Sequence, residues 1–324
     1  MMRRAAPLVV LAALIILPLP IENVFLRDVM ITTLLYAGLA SAWNVLGGYC
    51  GQISLGHAAY FGIGAYVATL LYLAGVPPWI GFIPAAILGA VAGLLVGWPS
   101  FRLSGHYYAM ATLVVGEIVY LLAQNWNAIG AVEGLTIPFS GPDSWLWLQF
   151  RTAKLPYYYL MLGYLVLCWG VSRLLEGSRA GFGWRAVKDD PVAARSLGVS
   201  IFGSKMLAAA ISGALTGLGG AIFARYIGYI DPSSTLADTL SIIIPLPAVL
   251  GGVGSLWGPL IGAAVLIPAS EFSRSYLGGS GGGVDLMIYG GLIVVIALLR
   301  PQGLVSLGAA LGFRRPQGGR DGAA

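Results

Sequence analysis

Apolar stretches close to the ~20 residues that a helix needs to cross the hydrocarbon core of a bilayer recur from one end of this chain to the other. A soluble core could not absorb them: with 58% hydrophobic and 10% charged residues, a chain of 324 residues has too little polar surface to present to water. Hydropathy and the breaks between runs predict spans near 5–20, 29–47, 53–74, 79–99, 107–124, 156–173, 205–223, 239–252, 255–270 and 284–300. The expected fold is all-α, a polytopic membrane protein of about ten transmembrane segments. It comprises a transmembrane domain over 1–310, a cytoplasmic loop at 174–204 and a disordered cytoplasmic tail at 311–324. Arg3 and Arg4 precede the first apolar run, yet no small-x-small cleavage site follows Pro18 and Pro20, so this segment is read as a retained span.

The net charge of +5 points to lipid and topology, not nucleic acid, because Lys and Arg are spread between the apolar runs instead of clustering with aromatics. With the N-terminus in the cytoplasm, thirteen of the 18 basic residues fall on inside loops. Only Arg27, Arg151, Lys154, Arg225 and Arg274 fall outside, so both termini are expected in the cytoplasm. Cys50 and Cys168 are isolated, and His57 and His106 stand without metal-ligand spacing, so neither a disulfide, a metal nor a cofactor is expected. A phosphate-cradling loop needs Gly before its Lys, whereas Lys154, Lys188 and Lys205 follow Ala153, Val187 and Ser204.

Two glycine-rich interruptions echo each other: Leu46-Gly47-Gly48-Tyr49-Cys50-Gly51 and Leu250-Gly251-Gly252-Val253-Gly254. Each half of the chain is therefore expected to carry a broken helix, the two halves being pseudo-repeats. Two readings fit. Unwound backbone at Gly47, Gly48, Gly51, Ser54, Gly251 and Gly252 lines a path near the bilayer midplane, where it is tolerated only if buried or facing a cavity; or the glycines let helices pack closely. Glu117 sits mid-span, where an ionisable group costs at least ~2.5 kcal/mol unless paired, protonated or hydrated. It serves either in gating and in bonding a substrate amine, or structurally, bonding to hydroxyls and freed backbone. His57, three residues after Ser54, invites a Ser-His hydrolase reading. The G-x-S-x-G elbow fails, however, because Gln52 occupies its first Gly position, and helix packing is the simpler role for His57.

The stretch from Ser172 to Ser204 has the densest charge. Within it Asp190 can cap a helix, Pro191 suits the first helical position and Gly198 can end it, predicting a helix of about two turns over Pro191 to Leu197. Ala193 and Ala194 leave its side low enough for a partner's groove, while Arg185, Lys188 and Arg195, with Asp189 and Asp190 between them, offer charge to acidic rims. An interfacial helix lying on anionic lipid is the competing reading.

This loop resembles the EAA-type coupling segment of ABC importer permeases, in the form seen in branched-chain amino acid permeases of the LivM type. Similar family patterns appear in Gly51-Gln52-Ile53-Ser54-Leu55-Gly56-His57-Ala58-Ala59, in Gly116-Glu117-Ile118 and in Gly134-Leu135-Thr136-Ile137-Pro138. They continue in Gly251-Gly252-Val253-Gly254-Ser255-Leu256-Trp257-Gly258-Pro259 and in Arg300-Pro301-Gln302-Gly303-Leu304. Val192 departs from the general motif, which has Glu there, and this puts one salt bridge to the ATPase in doubt. The resemblance implies a non-enzymatic permease subunit of the bacterial inner membrane that imports leucine, isoleucine and valine. Its implied partners are a homologous LivH-type permease, two cytoplasmic ATP-binding subunits and a periplasmic substrate-binding protein. Docking on the ATPases then falls to the stretch from Arg185 through Gly198, and the path to Gly47, Gly48, Gly51, Ser54, Glu117, Gly251 and Gly252. The same class of permease for urea, short amides or other amino acids is the nearest alternative, and an ion-coupled secondary transporter a more distant one.

Overall fold

In a computed structural model the chain is described at residues 2–103, 105–138, 143–150, 154–277, 290, 291, 294 and 303–305. Helices dominate, and they run antiparallel between two ends of a bundle. From α1 (Met2–Ile16) the chain passes through α2 (Val24–Asn44), α3 (His57–Leu73), α4 (Pro78–Ser100), α5 (His106–Gln124) and α6 (Leu155–Glu176). Two short helices, α7 (Arg179–Asp189) and α8 (Pro191–Ser196), cap one end before α9 (Ile201–Ile227) returns to the other. There a two-residue ladder pairs β1 (Leu135–Thr136) with β2 (Tyr229–Ile230), Leu135 opposite Ile230. The last described elements are α10 (Pro232–Thr235), α11 (Asp238–Ile243), α12 (Leu246–Gly251) and α13 (Gly258–Leu277).

Six stretches among the described residues are long and apolar enough to cross a membrane: Val24–Tyr49, Pro78–Ser100, His106–Gln124, Leu155–Glu176, Ile201–Ile227 and Pro232–Gly251. The chain is thus a multi-pass membrane protein. Six of the ten expected spans coincide with these stretches, and the other four differ for identifiable reasons. Pro7–Ile16 and His57–Leu73 are apolar helices too short to span alone. The stretch predicted to start at 53 begins as helix only at His57, because residues 51–56 are non-helical. The span predicted at 255–270 is α13, which is not among the six, whereas that predicted at 239–252 lies within Pro232–Gly251 and is broken into α11 and α12, with α10 before them. The glycine loop at 278–283, most of the span at 284–300 and the tail at 311–324 lie outside the described residues.

Lipid tails are as apolar as leucine, so the bundle cannot be held by hydrophobic exclusion between helices; close backbone approach does the work instead. A Cβ on Gly64 of α3 would sit 1.9 Å from the Gly217 carbonyl oxygen of α9, and one on Gly220 would sit 1.9 Å from that of Phe61. On the other flank of α9, a Cβ on Gly213 would lie 2.4 Å from the Gly89 carbonyl of α4. Helix α9 is thereby the central post of the fold. At the ladder end, the buried Arg225 of α9 donates through Nε to the carbonyls of Trp147 and Leu148, both 3.0 Å, with its guanidinium 4.4 Å from the Tyr72 ring. Asp28 of α2 is held there by Lys154 and Tyr226.

Candidate functional site

At its C-terminal end α2 widens into one π-helical turn, Val45–Tyr49, a geometry that often marks functional positions. The Trp43 ring occupies the space a Cβ on Gly47 would need, 2.5 Å away, so only glycine fits. Gly51 then turns the chain with φ +73°, a left-handed conformation that costs glycine little. Residues 51–56 form a non-helical segment inside the helical bundle, and their backbone polar groups must find partners there.

Helices α2 and α5 supply partners within the segment, and α11 and α9 hold the start of α3 that follows it. Trp43 donates through Nε1 to the Ser54 carbonyl at 2.8 Å, and the Leu55 N–H donates to Thr112 Oγ1 of α5 at 3.0 Å. The Ala58 N–H reaches Ser241 Oγ of α11 at 3.0 Å. His57 Nε2 lies 2.8 Å from Ser212 Oγ of α9. Since Ser212 gives its single hydroxyl proton to the Ala42 carbonyl at 2.8 Å, it accepts from His57, whose Nε2 carries the proton. The imidazole is thus anchored to Ser212 and not to Ser54, whose hydroxyl accepts from the Gly56 N–H at 3.4 Å. This is the helix-packing role expected from the failed hydrolase motif.

The two glycine interruptions meet in space, near the loop helices α7 and α8. The buried Asn44 accepts the Gly254 N–H on Oδ1 at 2.8 Å and donates through Nδ2 to the Ser255 carbonyl at 3.0 Å. Its amide pairs with the second break as a strand edge would. Gly252, at φ +127°, ends α12, and the Leu304 N–H returns to the Leu250 carbonyl at 3.0 Å, so Gly303 and Leu304 close over this break. Sequence reading missed Asn44, although a lone amide near a broken helix was its signal.

Lys188 of α7, though exposed, donates to the Gly48 carbonyl at 2.8 Å. Arg185 is also exposed while it donates to the carbonyls of Gly181 and Glu176, its guanidinium 4.8 Å from the Phe182 ring. The helix α7 itself was not foreseen; Ser178 caps it through the Gly181 N–H, and the fully buried Trp184 fastens it to α9 by donating to the Ser204 carbonyl at 2.8 Å. Beyond it the predicted cap is formed, Asp190 Oδ1 accepting from the N–H groups of Val192 and Ala193 at 2.8 and 3.1 Å, and Gly198 follows α8 with φ +82°. Of the two alanines only Ala193 is open, Ala194 being 1% exposed. Val192 and Leu197, at 75% and 81%, give α8 an apolar outer face, with Asp189 and Arg195 also exposed.

Glu117 is half-buried on α5 and faces a residue the sequence reading passed over, Asp238 in the first turn of α11. One turn away, Thr112 and Gly116 on the same helix border the non-helical segment, a Cβ on Gly116 lying 3.7 Å from the Gly56 Cα.

Three groupings thus emerge: the joined breaks with Lys188, the Ser54–His57 segment, and the Glu117–Asp238 pair. No cluster of His, Cys, Asp and Glu able to hold a metal occurs among the described residues.

A family model described as branched-chain amino acid transport system / permease component matches residues 25–299. The high-affinity branched-chain amino acid transport system permease protein LivM of Escherichia coli K12 is 32% identical over 306 residues, covering 86% of this chain and 70% of the relative. The probable branched-chain amino acid transport permease protein LivH of Methanocaldococcus jannaschii is 26% identical over 266 residues, 77% of this chain and 81% of the relative. BraD of Pseudomonas aeruginosa, a high-affinity permease protein of the same description, is 24% identical over 288 residues, 83% of this chain and 91% of the relative. No solved structure matches.

Proposed function

The chain belongs to the branched-chain amino acid transport permease family, and on that footing we propose that it is one membrane subunit of an ATP-driven importer that carries leucine, isoleucine and valine inward. The observation that carries this reading is the family match across nearly the whole membrane domain, with relatives of both LivM and LivH description. That both descriptions match supports a pore built from two homologous permeases. Hydrolysis belongs to two cytoplasmic ATP-binding subunits and capture to a periplasmic binding protein. This subunit performs no covalent chemistry and needs neither metal nor cofactor.

Run lengths favour about ten crossings, the paired glycine interruptions two pseudo-repeated halves, and the basic residues both termini in the cytoplasm of the bacterial inner membrane. In that orientation α7 and α8 face the cytoplasm, and the exposed apolar face of Val192, Ala193 and Leu197, flanked by Asp189 and Arg195, docks on the ATPases. Gly47, Gly48, Gly51, Gly251 and Gly252 then form the cytoplasmic closure of the path, with Ser54 above it.

Glu117 and Asp238 belong to the path wall. A half-exposed carboxyl pair at membrane depth is too costly to face lipid, so its open side faces water or the partner subunit. There it is suited to receive the ammonium group of an amino acid.

The test is cysteine crosslinking in the complete complex. Cys at Ala193 should crosslink to the ATPase subunits and Cys at the buried Ala194 should not; absence of any Ala193 crosslink under every nucleotide condition removes the docking assignment. Reconstitution decides the rest: leucine uptake into liposomes must require ATP and the partner subunits, and uptake by this chain alone would end the importer reading.

A further inference from the structure

Lys188 connects the loop helices to both glycine breaks at once. Its ammonium donates to the Gly48 carbonyl at 2.8 Å, near the C-terminal end of the helix where unpaired carbonyls carry partial negative charge. Its Cγ lies 2.9 Å from where a Cβ on Gly51 would be, so the aliphatic stem fills the space the glycine leaves. The same ammonium is 3.3 Å from the Cβ position of Gly254, in the second break, and that break is joined to the first through Asn44. Behind Lys188, α7 continues into α8 with only Asp190 between them, and Asp190 caps α8 while its own N–H bonds the Ala186 carbonyl. Displacement of α8 is therefore carried to α7 as to one body, and through Lys188 to Gly48 and Gly254.

We propose that Lys188 is the positioning residue through which movement of α7 and α8 opens and closes the two joined glycine breaks, and that binding of the ATPases does not depend on it. This deepens the importer reading and rests on it. The surface of α8 receives the force and Lys188 passes it inward; the breaks answer together because Asn44 ties one to the other. Without the ammonium, ATPase subunits bind and hydrolyse ATP, but their motion no longer reaches the path.

The experiment uses the reconstituted complex with binding protein and radiolabelled leucine, and compares wild type with Lys188→Met, Lys188→Arg and Lys188→Cys. Two quantities are read: the ATPase subunits recovered on co-purification, and leucine imported per ATP hydrolysed. Lys188→Met should recover ATPases as wild type does while leucine per ATP falls about tenfold, within the span of couplings between sites. Lys188→Arg should retain coupling. Lys188→Cys should behave like Lys188→Met until 2-bromoethylamine restores an ammonium on a stem of the same length, whereupon import per ATP should recover. Wild-type coupling in Lys188→Met would overturn the proposal. So would loss of the ATPase subunits from Lys188→Met, which would make Lys188 a docking contact, or failure of aminoethylation to restore Lys188→Cys, which would leave it a packing role only. A wild-type complex that hydrolyses no ATP would remove the importer reading itself, and the inference with it.

Discussion

Asn44 and Gly254 lie 210 positions apart in the chain, yet the amide of the one accepts the backbone N–H of the other at 2.8 Å, while the same side chain donates to the Ser255 carbonyl at 3.0 Å. A buried amide spent on two backbone groups of a distant loop fixes the relative position of two interrupted helices.

Asn44→Ala should leave that N–H and carbonyl without partners, at a cost of about 1–3 kcal/mol for each buried group. The melting temperature of the purified protein in detergent should fall by several degrees. Asn44→Asp keeps the acceptor for Gly254 but loses the donor to Ser255, and should lie between Asn44→Ala and wild type. Equal melting temperatures for all three would show that the two breaks are held together elsewhere.

Gly64→Ala should be far more disruptive than its size suggests, because the added carbon would sit 1.9 Å from the Gly217 carbonyl oxygen and must push α3 away from α9. Overpacking of this kind costs about 1–3 kcal/mol or more. Gly163→Ala on α6, with no neighbouring atom within 4 Å, is the control and should leave the melting temperature unchanged. Detergent melts of the two variants side by side make the comparison.

Glu117→Gln keeps the size and polarity of the side chain facing Asp238 but forfeits the charge. Hydrogen bonds to a charged group are about twice as strong as neutral ones, so losing one to the substrate ammonium should lower leucine uptake at limiting concentration by about tenfold. Asp238→Asn should do the same, with normal recovery of the complex in both. Undiminished uptake in both variants would return the pair to a structural role.

Leu197→Asp replaces a side chain that is 81% exposed, so the fold should hold to within about 0.5 kcal/mol. The ATPase subunits should nevertheless be lost on co-purification, and the crosslink from Cys at Ala193 with them. Retention of both would mean that α8 is not the docking face.

Much of this architecture was legible in the chain alone. Apolar run lengths exposed the membrane helices, and Asp190, Pro191 and Gly198 wrote the start and end of α8, because caps and spans are local properties of a few neighbouring residues. Run length could not foresee how α2 ends in a π turn or why α3 begins at His57, since both depend on partners from α5, α9 and α11 that hold the non-helical segment between them.

Charge alone grouped Arg185 and Lys188 with a docking surface but gave no sign of the Gly48 carbonyl that Lys188 reaches. The chain itself determined that this protein lives in a bilayer, where its helices are interrupted and where its loop is charged, because hydropathy, glycine and capping residues act within a turn or two of themselves. Only the tertiary structure decided that the two interruptions touch, that Lys188 reaches the Gly48 carbonyl and that Glu117 faces Asp238. Hydrogen bonds between residues far apart in sequence leave no period or spacing in it, and close glycine-to-backbone packing alone brings such partners within reach.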